Sequence, residues 1–286
     1  MAKKVVLSID GGGIRGVIPL VLLRAIEQEL SQTSISSYVD VIAGTSTGAL
    51  IVAAVCVGNE GQPMPSELVL EIYKSRGQQM FVSNTKGRAL YRSLPLSRII
   101  DQNFSSVLLE ELHQDYVFPL LNVRDNDAFV VSSLIEGQEY KDAYLSSLLK
   151  AASAVPNYFD PVEFQDHLLA DGVVFAKNPS AITMQNLTRT HDTKDVILLS
   201  LGTGALQDCF DEIEKEAMAA HHNVKHLFSR SGGNYFRLQP EVRKASHKMD
   251  DASEKNIKLL IEDAQYWVDD NPELIQEIVA LLEENH

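Results

Sequence analysis

The chain has 286 residues, 45% of them hydrophobic and 22% charged, which is enough apolar material for one large folded domain. Its formal net charge of −14 argues against a nucleic-acid partner, because phosphate binding draws on an excess of lysine and arginine. Two cysteines, Cys56 and Cys209, are too few for a disulfide framework and form no C-x-x-C, so they read as idle thiols of a reducing compartment.

In chain order, "VVLSID" (5–10) predicts a short buried strand, apolar and β-branched. "VIPLVLLRAIEQELSQ" predicts a helix that tolerates Pro19 only in its first turn. "YVDVIAG" (38–44) reads as a second strand, and "GALIVAAVCVG" as a helix apolar on every side and therefore buried. A helix over "SELVLEIYKSRGQQM" is followed by an irregular region to about Leu96. "FPLLNVRDNDAFVVSSL" gives two strands around a turn, and "AYLSSLLKAASAV" a helix stopping before Pro156. "HLLADG" is a strand ending in a turn, "NPSAITMQNLTR" a helix, and "DVILLSLGTG" a buried strand meeting glycines. Strands alternating with helices predict an α/β fold, with helices on both faces of a mostly parallel sheet. Beyond Gly204 the pattern turns mostly helical, through "FDEIEKEAMAAHH", "ASEKNIKLLIEDAQYWV" and "NPELIQEIVALLEEN". The expected organisation is a core over 1–204 with a helical layer, 205–286, packed on the same domain.

No signal peptide is expected ahead of the first strand, and the longest apolar run, Ala49–Val57, is far too short to span a bilayer. The expectation is a cytoplasmic protein that meets membranes at most peripherally.

Two glycine motifs carry the chemistry. "GTSTG", Gly44 to Gly48, is G-x-S-x-G between a strand and a buried helix, the context of a nucleophile elbow. Small residues at Gly44 and Gly48 let strand and helix pass closely, which lifts Ser46 to the helix N-terminus, where negative charge is favoured. "DGGGIRG" satisfies G-x-G-x-x-G at Gly11, Gly13 and Gly16. A dinucleotide site would need an acid at the end of the second strand, but Asp40 lies within it and the elbow occupies its end. A phosphate loop of the Walker type fails because Val17 and Ile18 stand where Lys and Ser/Thr belong. The glycine loop therefore reads as a source of backbone N–H donors for an oxyanion.

Only one strand precedes the elbow, which counts against an α/β-hydrolase, and none of the eight histidines sits in a triad-like context. His222 and His226 have the i, i+4 spacing of a metal pair but read as a solvated helix face. The better base is Asp171, at the end of an apolar strand with Gly172 behind it; partial burial would raise its basicity.

Taken together, "DGGGIRG", "GTSTG" and "DG", with "AASAVPNYFDPV" and "LLSLGTG", resemble the patatin-like phospholipase family over about residues 5–204. The resemblance implies a three-layer α/β/α acyl hydrolase with a Ser46–Asp171 dyad and no metal or other cofactor. It also implies an oxyanion hole from Gly11, Gly12 and Gly13 steadied by Arg15, and acyl lipids as substrates. Val173 departs from the family's usual Gly or Ala after "DG", and its branched side chain is expected to narrow the pocket or shift the aspartate. Acyl transfer to an acceptor other than water, and a non-catalytic effector of the same fold, are the alternatives.

One asymmetry remains. Ile72 to Ile100 contains six cations and no acid, whereas Asp250 to the C-terminus holds eleven acids against Lys255 and Lys258. The basic stretch either pairs with those acids or docks on an anionic lipid surface. Oligomeric state is not legible in the sequence.

Overall fold

The structure is a computed structural model that describes residues 2–32, 34–137, 140–206 and 211–286. Cys209 falls outside the described residues, while Cys56 is buried. Strands β1 (Lys4–Ile9), β2 (Val41–Gly44), β3 (Asp115–Asn122), β4 (Asp127–Ser132), β5 (Val162–Phe164), β6 (His167–Asp171), β7 (Val196–Leu201) and β8 (Asn234–Leu238) form one sheet of eight. Its order is β5-β6-β3-β2-β1-β7-β8, with β4 paired to β3. From β3 to β8 the neighbours run parallel; β4 and β6 both run antiparallel to β3, and β5 antiparallel to β6.

Ten α-helices join these strands among the described residues: α1 (Val17–Glu29), α2 (Thr47–Cys56), α3 (Ser66–Met80), α4 (Ser93–Phe104), α5 (Leu145–Ala152), α6 (Val173–Ala176), α7 (Ser180–Leu187), α8 (Glu212–Ser231), α9 (Glu254–Asp270) and α10 (Pro272–Asn285). Side chains of β1 alternate between the two faces, as a pleated strand requires. Val5, Leu7 and Ile9 enter the larger core, shared with α1, α2, α3, α5, α9 and α10. Val6 enters the smaller one, with Met184 and Leu187 of α7 and Val224 and Phe228 of α8. The result is a three-layer α/β/α arrangement. No described helix is long and apolar enough to cross a membrane.

Three elements depart from the sequence reading. Helix α4 begins in the last residues of the region read as irregular and continues beyond it to Phe104; its Pro95 sits in the first turn, where a missing N–H costs nothing. The short strand β5 pairs at the sheet's edge. The segment after Gly204 is not helical throughout, because β8 adds a parallel strand beside β7.

A tight crossing brings α2 over the end of β1. A Cβ on Gly48 would collide with the carbonyl oxygen of Ile9, and one on Gly44 would lie 2.5 Å from the Ala49 nitrogen. Both obstacles are backbone, so neither can rotate away. Gly48→Ala is accordingly expected to cost about 3 kcal/mol or more of stability, measured as a drop in the urea midpoint. A variant as stable as wild type would show that the crossing tolerates a methyl group.

Candidate active site

Strand β2 delivers the elbow. Thr45 donates its N–H to Ile9 O at 3.2 Å and its hydroxyl to Ala176 O at 2.7 Å, fixing the chain before the turn. Ser46 then adopts φ 55°, ψ −125°, a strained conformation for a residue with a side chain. Its carbonyl accepts the Ala49 N–H at 2.9 Å, starting α2. Ser46 is 5% exposed, at the N-terminus of a helix buried along most of its length.

Register explains how Asp171 arrives. Ala43 pairs with Val117, so the two residues that follow β2 run level with the end of β3, where Leu120 pairs with Asp171. Because β6 runs against β3, its last residue faces the space that β2 has vacated to make the elbow. Asp171 is fully buried. Its Oδ1 accepts the Val173 N–H at 2.9 Å, and its own N–H donates to Ala154 O at 3.0 Å. The Ser46 hydroxyl donates toward this carboxyl. That contact is loose, since Oδ2 makes no hydrogen bond of full geometry, as is common before substrate tightens a site. Burial pushes the Asp171 pKa up to about 7, against the pull of Ser46 and the Val173 amide. Val173 itself is buried, and a Cβ on Gly11 would meet its Cγ2 at 3.2 Å.

The glycine loop lies across from these groups. A Cβ on Gly11 would come within 3.3 Å of Ser46 Cβ, so loop and elbow are in contact. The Gly11 N–H, however, donates to Lys177 O at 2.9 Å, which leaves it unavailable as an oxyanion donor. Of the three glycines expected to supply donors, only Gly12 and Gly13 keep N–H groups that make no hydrogen bond among the described residues. The same holds for the Thr47 amide, which sequence reasoning missed although an elbow supplies it directly after the serine. Gly13 and Thr47 both line the slot beside Ser46. Gly13 has φ 59°, and a side chain there would strike Met249 O. Gly16 lies against Thr47, and Gly172 against the backbone of Pro119, closing the turn behind Asp171.

Beneath the loop lies a buried charge network that the sequence did not reveal. Arg15, 2% exposed, donates from Nη2 to Glu214 Oε1 at 3.0 Å, and Lys177 pairs with the same carboxylate. Burial alone would raise Glu214, but the charges of Lys177 and Arg15 outweigh it and hold its pKa below the ordinary value. Glu216 accepts the Lys177 N–H at 3.0 Å, and Arg237 grips Asp10 through bonds of 2.7 and 2.5 Å. Nothing in "DEIEKEAM" distinguishes Glu214 and Glu216 from their exposed neighbours.

No histidine lines the slot around Ser46; His222 and His226 are exposed on α8. No cluster of three or more metal-ligating side chains occurs among the described residues.

A family model described as patatin-like phospholipase matches residues 7–184. The chain belongs to the patatin-like phospholipase family. Family membership carries lipid acyl hydrolysis as its general activity, with acyl lipids as the substrate class. Patatin-17 of Solanum cardiophyllum is 27% identical over 95% of this patatin-like chain and 86% of its own length. Patatin-04/09 and patatin group M-3 of Solanum tuberosum are each 27% identical over 90% of this chain and 81% of their own. Among solved structures, VipD from Legionella pneumophila matches with a TM-score of 0.42 and 12% identity, covering 93% of this chain and 67% of that one.

The Asp171 environment makes pH a direct probe of this patatin-like site. Below about pH 7 the carboxyl keeps its proton; with Asp171 as the base, kcat/KM is expected to rise with pH through an apparent pKa near 7. The stability effect has the opposite sense. A folded pKa raised from 3.8 to about 7 contributes stability that is complete below 3.8 and lost as pH climbs through 7. Asp171→Asn, which cannot ionise, should therefore be inactive yet about 2–4 kcal/mol more stable than wild type at pH 8, by urea unfolding. A pH profile flat between 5 and 9 contradicts this account of the carboxyl.

Proposed function

We propose that the chain hydrolyses carboxylic esters of acyl lipids, as a phospholipase A or lysophospholipase, through Ser46 as nucleophile and Asp171 as base. The observation that carries this reading is a fully buried carboxyl facing the hydroxyl of a strained elbow serine, with no histidine lining the slot. Ser46 Oγ bonds to the ester carbonyl carbon as Asp171 takes its proton. The amides of Gly12, Gly13 and Thr47 bind the oxyanion, and Arg15 steadies the loop through Glu214. Asp171 passes the proton to the departing alcohol, then takes one from the water that attacks the acyl-serine ester and returns it to Ser46 Oγ as the free acid leaves.

A panel of phospholipids, lysophospholipids and neutral lipids tests the assignment. Ser46→Ala and Asp171→Asn should each lower kcat by at least about a thousandfold, and a fluorophosphonate probe should label Ser46 in the wild type only. Full activity in Ser46→Ala would mean the nucleophile is elsewhere. Failure of the folded wild type to label would favour a non-catalytic effector. Products that change when an alcohol acceptor is added would favour acyl transfer.

We assign lipid-surface contact to the basic stretch. Among the described residues, none of its six cations makes an ion pair with the acids of 250–286; Lys74 pairs with Glu71 and Arg76 donates to Gln102. Lys86, Arg88, Arg92 and Arg98 are exposed, interspersed with Leu90 and Leu94, which are 54% and 50% exposed. Cations alternating with bare leucines suit an anionic interface. The stretch adjoins the slot through Leu90 N–H to Asn157 O at 3.0 Å and Tyr91 N–H to Tyr158 O at 2.8 Å, and Tyr158 lines the slot. Arg88→Glu with Arg92→Glu should weaken co-sedimentation with phosphatidylglycerol vesicles by at least about tenfold. Unchanged sedimentation would remove this face from the membrane reading.

A further inference from the structure

The slot beside Ser46 is almost wholly apolar, walled by Leu50, Tyr73, Met80, Phe81, Leu96 and Phe159 among others, with a free volume of about 30 Å³. A second void of about 40 Å³ lies farther along, against Ala54, Met64, Val69, Ile99, Ile100 and Phe104. Leu50, Tyr73, Met80 and Leu96 wall both, so the two spaces are separated by a partition one side chain thick.

Both voids lie along one line. Ser46, Leu50 and Ala54 recur every four residues along α2, so the far void begins about 6 Å from the nucleophile along the helix axis, at Leu50, and reaches about 12 Å at Ala54. Protein interiors are close-packed, and two adjoining voids in such a row are a departure from that norm. The far void carries no polar incentive for water. The Tyr73 hydroxyl is spent on Thr47, and the Asn103 amide donates to Ile99 O at 2.7 Å. Met80, at the end of α3, is the unbranched and most readily displaced part of the partition.

We propose that the two voids are the near and far compartments of one acyl-chain channel, and that Met80 with its three neighbours reads acyl length. Short chains end in the near compartment; longer ones push Met80 aside and bury further methylenes against Ala54, Val69 and Phe104. Each methylene so buried favours binding roughly fourfold. The proposal rests on the reading of Ser46 as the nucleophile, and its test keeps the two apart.

Wild type, Ala54→Phe and Met80→Ala are compared on p-nitrophenyl butyrate and palmitate. Filling the far compartment with Ala54→Phe should lower the palmitate-to-butyrate ratio of kcat/KM by about tenfold or more. Thinning the partition with Met80→Ala should raise it several-fold. Independently of turnover, Ser46→Ala protein should bind palmitate more tightly than butyrate by calorimetry, and adding Ala54→Phe should abolish that preference. If neither ester is cleaved yet the preference and its loss are seen, the channel stands and the nucleophile reading falls. If Ser46→Ala abolishes cleavage while the ester ratio stays within twofold of wild type in both variants, the nucleophile stands and the channel is overturned. Should Ala54→Phe fail to fold, the Met80→Ala ratio alone decides in the same way.

Discussion

Taking Asp171 out of water changes what the group can do at neutral pH. A solvated aspartate is a poor base, because it holds a proton too weakly to draw one from a hydroxyl. Here the carboxyl is fully buried, firmly bonded only to the Val173 amide, and its proton affinity rises into the neutral range. In the mechanism we propose, burial thus does for this residue what an imidazole does elsewhere. The requirement propagates outward: the strand carrying the carboxyl must end inside the molecule, and the turn behind it must be narrow enough to seal it. Gly172, pressed against the Pro119 backbone, meets the second condition. The antiparallel entry of β6 beside β3 meets the first.

The glycine loop presents the reverse problem, a flexible segment that must be held still. Its rigidity comes from side chains far away in sequence. Arg237 holds Asp10 at the loop's entrance, Lys177 binds the Gly11 N–H through its carbonyl, and Glu214 pairs with both Lys177 and Arg15. Removing one partner of such a buried set would strand the others without water or counterion, so the charges are interdependent. The loop's shape belongs to α8 and β8 as much as to its own glycines.

Much of this was legible in the chain. The elbow could be read because strand, small residues and buried helix coincide within about twenty positions, and α3 runs over the residues its apolar spacing predicts. Asp171 stood out as a carboxylate closing the apolar strand "HLLA". Other features carry no local signal. Strand direction is set by tertiary pairing, so the antiparallel placement of β6 was invisible. The strand β8, "NYFRL", is mostly half-buried and lacks a clean two-residue alternation. Helix α4 was hidden by a proline that is harmless at its start. Which loop amides remain free depended on the Lys177 carbonyl, a partner more than 160 residues away. The charged residues of α8 looked like any solvated helix face.

The anchoring of the loop by the C-terminal third has a bearing on biosynthesis. Ile14 N–H binds Met249 O at 2.8 Å, and Arg237 holds Asp10. Both partners leave the ribosome long after the glycines themselves. A nascent polypeptide that has exposed the serine turn and the aspartate strand still lacks two of the ties that shape the loop between them. In this patatin-like chain the loop takes its final shape only once residues more than 200 positions beyond its glycines have joined the fold.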